Sequence, residues 1–119
     1  MQHKIYLSNA FSLNMLDLNP EIPVPVRLFV RPMDLERVKS LLELGFESAV
    51  GHQSTAEILS TLLGVDVPMN RVAIKLKSGD ILIVFQLGIR LNEGQVLSKE
   101  EVFELYNKGQ ANFVAVEIV

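Results

Sequence analysis

The chain has 119 residues, enough for one domain with a modest core. Hydrophobic residues make up 49% of it, and cysteine is absent, which excludes disulfides and thiolate chemistry and fits an intracellular, cytoplasmic setting. A formal net charge of −3 leaves no excess of Lys and Arg to neutralise a long phosphate backbone, so duplex nucleic acid is not an expected partner, whereas a compact anionic nucleotide remains open.

Lys4 to Ser8 reads as a short strand, with no secretion leader ahead of it. Asn9 to Leu16 turns into a short helix, and polar Asn9, Ser12 and Asn14 alternate there with apolar Phe11, Leu13 and Met15. That pattern is either ordinary turn chemistry or a ligand contact. Pro20, Pro23 and Pro25 mark an irregular crossing, after which Val26 to Val30 suggests a strand. Asp34 is placed to cap a helix running to about Leu44, with Leu35, Val38, Leu41 and Leu42 inward and Gly45 ending it. Ser54 and Glu57 have capping-box spacing, and Ala56, Ile58, Leu59, Leu62 and Leu63 form an apolar stripe ending at Gly64. This predicts a helix over about 54–63.

Val72, Ile74 and Leu76 alternate with Arg71, Ala73, Lys75 and Lys77, the pattern of a strand with one buried face. Ser78-Gly79 then supplies a tight turn into Ile81–Phe85, apolar on both faces as a central strand should be, so a hairpin is expected. Ile81–Phe85 is also the longest apolar run, far short of the roughly 18 residues that cross a membrane. Ser98 and Glu101 form a second capping box, before a helix carrying Val102, Phe103, Leu105 and Tyr106 and ended by Gly109. Asn112 to Val119 closes the chain as a strand. The expected architecture is one layered α/β domain over residues 1–119, with a mixed sheet of about five strands and three or four helices. Its surplus hydrophobicity suggests an apolar surface covered by a second copy, a homodimer.

Gly51-His52-Gln53-Ser54-Thr55 places a histidine directly before a helix start. A helix N-terminus carries orphan N–H groups and partial positive charge, so it receives phosphate, and histidine moves protons near neutral pH. The plain alternative is that His52 helps cap the helix. A second candidate follows the central strand, in Gln86-Leu87-Gly88-Ile89-Arg90-Leu91-Asn92-Glu93-Gly94. Arg90 suits a phosphate through its planar fork of donors, and Glu93 suits orienting Arg90 or shuttling a proton; the alternative is a surface ion pair beside a glycine turn. Arg71 is a further phosphate ligand or an edge charge. No HExxH, cysteine cluster, calcium loop, Walker loop or GxGxxG is present, so neither metal nor cofactor is expected. RNA carries its own nucleophile, the 2′-hydroxyl. Arg90 and the helix N-terminus would stabilise phosphoryl charge while His52 protonates the departing 5′-oxygen.

Four ordered segments complete this picture: Lys4 to Leu16, Gly51-His52-Gln53-Ser54-Thr55, Asn70-Arg71-Val72-Ala73-Ile74-Lys75-Leu76, and Arg90-Leu91-Asn92-Glu93-Gly94. Together they resemble the viral type III anti-CRISPR ring nucleases and their bacterial and phage relatives, over nearly the whole chain, with about 17–48 the weakest part. The resemblance implies a homodimer that binds cyclic tetra-adenylate and cuts it without metal to linear di-adenylate bearing a 2′,3′-cyclic phosphate. It implies His52 as general acid and Arg90 and Glu93 as catalytic support. It matches Asn9, Ser12, Ser54, Thr55, Arg71 and Gln86 to ligand-contacting positions. Two departures stand out: Gln53 occupies a position where relatives have Asp, and Leu87-Gly88-Ile89 is more apolar than the relatives' segment.

Overall fold

A computed structural model describes residues 4–90 and 95–119. In chain order the elements are β1 (Ile5–Ser8), a 3-10 turn (Leu13–Met15), β2 (Leu28–Met33), α1 (Leu35–Leu42), β3 (Glu47–Ser48), α2 (Gln53–Leu63), β4 (Ile81–Leu87), α3 (Lys99–Asn107) and β5 (Ala111–Ile118). One five-stranded mixed sheet runs β2-β5-β4-β1-β3. β1 lies parallel to β3 and β4, whereas β5 lies antiparallel to β4 and β2.

Strand alternation sorts the core onto two faces of this sheet. Leu7, Ile83, Phe85, Phe113 and Ala115 pack beneath the helices with Val38, Leu59, Leu62 and Val102. Phe85 and Phe113 tilt against each other with ring centroids 5.2 Å apart. Tyr6, Leu82, Val84, Val116 and Ile118 face the helix-free side, where Leu16, Ile74 and Leu76 cover them. No helix among the described residues is long and apolar enough to cross a membrane.

The expected single domain with a five-strand mixed sheet matches, but the membership of that sheet differs from expectation. Residues 71–77 do not pair as a strand, and no hairpin forms with β4. β4 already has β1 on one side and β5 on the other, which leaves no lateral edge. Residues 71–77 instead lie across the helix-free face, burying Ile74 and Leu76 while Val72 stays 50% exposed. A bond from the Leu76 N–H to the Met15 carbonyl (2.7 Å) ties them down. The fifth strand is β3, two residues that the sequence pattern does not flag.

The second strand runs over 28–33 rather than 26–30, and includes Pro32. The Val119 N–H donates to the Arg27 carbonyl at 2.9 Å, so residues 27, 29, 31 and 33 turn their polar groups toward β5. Pro32 therefore faces the free edge, where its missing N–H costs nothing. α1 stops at Leu42, two residues earlier than about 44, and the Asp34 carboxylate accepts the Arg37 N–H as expected. The capping box of α3 forms in full.

Candidate functional site at the strand ends

Because β1, β3 and β4 run in the same direction, their C-terminal ends share one edge of the sheet. Crevices outside such ends are the usual ligand positions of α/β sheets. Asn9 follows β1 there, the Ala49–His52 loop follows β3, and Gln86 to Arg90 leave at the end of β4. Gly88 allows that exit: a Cβ on it would lie 3.1 Å from the Gln110 carbonyl oxygen, which its own N–H meets at 2.6 Å.

The loop before α2 is tied down on both sides. The Ala49 N–H donates to the Leu7 carbonyl (2.8 Å) and the Ser8 hydroxyl to the Ala49 carbonyl (3.2 Å). The Gly51 N–H donates to Asn9 Oδ1 (3.1 Å), joining the end of β1 to the residue before His52. From the other side, the Ser48 hydroxyl donates to the Pro68 carbonyl (2.7 Å), and Asn70 bonds both Val50 and Ser48.

These ties move the start of α2. His52, not Ser54, is its N-cap, with extended backbone (φ −132°, ψ 133°), and the His52 carbonyl accepts the Ala56 N–H at 3.0 Å. The expected Ser54–Glu57 capping box does not form. Glu57 lies two residues too far along, and its carboxylate accepts Gln53 Nε2 at 3.2 Å instead. The His52 side chain makes no cap bond, and no acid stands in the first turn of α2. The positive end of the helix thus has no acid in its own first turn, and it stands beside an exposed histidine. The stem of Arg71 lies beside Gly51, its Cγ 3.5 Å from where a Cβ would stand, ordinary van der Waals contact with the loop that carries His52.

Three of the remaining site residues line two clefts on opposite sides of the sheet. Asn9 and Gln86 line a cleft of about 440 Å³ on the helix-free face, floored by Val84, Val114 and Val116. Ser54 lines a cleft of about 260 Å³ between α2 and the 95–97 segment. Thr55 is half-buried in the first turn of α2, and Ser12 stands exposed at the head of the 3-10 turn without capping it. Arg90 is exposed beyond β4. Glu93 lies outside the described residues. Among those described, no group of three His, Asp or Glu side chains is placed to hold a metal ion. Beneath the helix-free surface, burial pushes the Tyr6 phenol above its ordinary value.

Sequence reasoning gave Asn70 no role, although its signal, an Asn directly before Arg71, stood in a quoted motif. Its contribution lies in backbone carbonyls that only the folded chain brings to it.

The chain is similar to known viral proteins in sequence and in fold. The profile of the family described as STIV B116-like matches residues 5–109. The solved structure of B116 of Sulfolobus turreted icosahedral virus superposes with a TM-score of 0.81 at 35% identity, covering 96% of this chain and 98% of that one. Uncharacterized protein 26 of Sulfolobus islandicus filamentous virus (isolate Iceland/Hveragerdi) is 41% identical over 78 residues, which are 65% of this chain and 66% of that protein. Uncharacterized protein ORF116 of Acidianus filamentous virus 1 (isolate United States/Yellowstone) is 29% identical over 105 residues, covering 88% of this chain and 87% of the relative.

Proposed function

The chain belongs to the STIV B116-like family, whose matching relatives are viral proteins, and we propose that it is a metal-independent ring nuclease for cyclic tetra-adenylate. In this reading a homodimer binds the ring and lowers the concentration of a type III CRISPR second messenger in the host cytoplasm. The observation that carries it is the juxtaposition of His52, an uncapped helix N-terminus and Arg71 laid over Gly51. An acid, a seat for phosphate and a nearby cation are what 2′-hydroxyl-driven cleavage asks of a protein.

The chemistry is an in-line displacement. The ribose 2′-oxygen bonds to the adjacent phosphorus as the bond from phosphorus to the 5′-oxygen breaks. His52 gives its proton to that leaving oxygen, and the 2′-hydroxyl proton passes to water or to Glu93. Arg90, Arg71 and the α2 amides hold charge on the non-bridging oxygens. Each cut yields a 2′,3′-cyclic phosphate and a 5′-hydroxyl, and two cuts divide the ring into two di-adenylates. Asn9, Ser12, Ser54, Thr55 and Gln86 would contact the rest of the ligand. Asn9 would do so through Nδ2, its Oδ1 being engaged by Gly51.

Two-fold symmetry suits this ligand, since paired sites meet opposite phosphates. Exposed Val30 and Val72 on the helix-free side, 62% and 50% accessible, support a surface that a second copy covers.

The test mixes purified protein with cyclic tetra-adenylate and EDTA, comparing wild type with His52→Ala. Cleavage that survives EDTA and collapses in the variant is expected. Tight binding without products would make the protein a sponge or sensor, and no binding would leave a structural interaction dimer. A His52→Ala rate equal to wild type would remove the acid assignment.

A further inference from the structure

We infer that Asn70 is a positioning residue that fixes Arg71 against the loop bearing His52; the catalytic consequences rest on the ring-nuclease reading above. β3 is the last strand of the sheet, so one of its edges has no strand beside it. The Ala49 N–H points inward to Leu7, which turns the carbonyls of Ser48 and Val50 to that open edge. A single residue takes both. The Asn70 backbone N–H donates to the Val50 carbonyl at 2.8 Å, and Asn70 Nδ2 donates to the Ser48 carbonyl at 2.8 Å. Its amide stands in for the second backbone donor that a pairing strand would supply.

The same residue sets the next one. The Asn70 carbonyl accepts the Val72 N–H at 3.1 Å, a three-residue turn with Arg71 at its apex. Arg71 is then held at its root by a residue bonded to 48 and 50, and its stem rests on residue 51. His52 follows directly. The cation and the acid therefore share one short hydrogen-bonded frame, and its link is a side chain from neither. Asn70 is itself exposed and belongs to neither core cluster, so apolar packing does not explain an amide here.

Asn70→Ala keeps the backbone bond to Val50 and releases the Ser48 carbonyl. Asn70→Asp keeps the shape but sets a carboxylate oxygen against that carbonyl. Measured at a temperature where circular dichroism shows full folding, either variant is expected to cleave cyclic tetra-adenylate about 10- to 100-fold more slowly, the scale of a 1 Å misplacement. In an Arg71→Ala background, Asn70→Ala is expected to cost less than about threefold, because the group it places is gone. An unaltered rate, or an equal penalty in both backgrounds, would overturn the inference. A second readout needs no ligand: the Arg71 Nε–Hε cross-peak, identified by its loss in Arg71→Ala, should move in Asn70→Ala. If wild type neither binds nor cleaves the ring, the functional reading fails and this cross-peak alone decides. A peak that stays in place would then dismiss Asn70 as a positioning residue.

Discussion

At the start of α3 the Ser98 hydroxyl accepts the Glu101 N–H (3.2 Å), the Glu101 carboxylate accepts the Ser98 N–H (3.0 Å), and Glu100 adds a second negative charge. At the start of α2 the N-cap residue His52 makes no side-chain cap bond, and the first turn holds no acid. The helices are secured by different means. α2 buries Ala56, Ile58, Leu59, Leu62 and Leu63, whereas α3 fully buries only Val102. A helix held by packing can leave its N-terminus unfilled, and one with little packing leans on its caps. The terminus without a side-chain cap bond is the one at the ends of β1 and β3, the place of the proposed phosphate seat.

The sharpest break in this comparison is chemical. His52→Ala should lower the cleavage rate by about 10²- to 10⁴-fold, the range of general acid catalysis, while circular dichroism stays unchanged. The fold should survive because the His52 side chain makes no cap bond and α2 is anchored elsewhere. A variant that lost activity only by unfolding would sink this assignment.

Packing comes next. Leu59 on the inner face of α2 is fully buried, so Leu59→Ala should cost about 2–5 kcal/mol, read as an earlier urea midpoint with an unchanged slope. A loss below about 1 kcal/mol would mean that α2 is not held by burial. Caps should rank below this. Ser98→Ala should destabilise by about 0.5–2 kcal/mol and leave cleavage intact, whereas Ser54→Ala should stay within about 0.5 kcal/mol in stability. Equal losses in the two variants would show that α2 is capped by Ser54 in solution.

That last contrast also explains what the sequence could and could not reveal. Ser54–Glu57 and Ser98–Glu101 are the same local signal, and nothing within either tetrapeptide separates them. The separation comes from Asn9 and Asn70, far away in the chain, whose bonds fix where the backbone enters α2. The 71–77 segment failed for a related reason. Its alternation reports burial of Ile74 and Leu76 correctly, but alternation cannot say whether a chain pairs sideways or lies across a face. Glu47-Ser48 is too short for any period to register. By contrast, β4 was legible because strand burial on both faces needs an unbroken apolar run. Among the candidate site residues, His52 and Arg71 stand out by type and motif, and the structure adds that the Arg71 stem lies against Gly51.

The smallest expected effect belongs to α3 alone. Lys108 Nζ stands 2.6 Å from the Glu104 carboxylate, and this hydrogen bond and charge hold the Glu104 carboxyl below its usual value of 4.5. A lowered folded value means that the contribution is present above the unfolded value and fades as pH falls through the folded one. Stability lent by the pair should thus be constant near neutrality and vanish in acid. Both side chains are about 60% exposed, so water and salt screen the pair and the effect is slight. α2 has the Gln53–Glu57 contact at the same spacing, with only one partner charged. The measurement is the difference in melting temperature between wild type and Glu104→Gln, taken at about pH 6 and about pH 3 in low salt. The gap should be small at the higher pH and close at the lower. A gap that widened in acid would show that Glu104 is held above its usual value, and that α3 is not the self-neutralised helix of the pair.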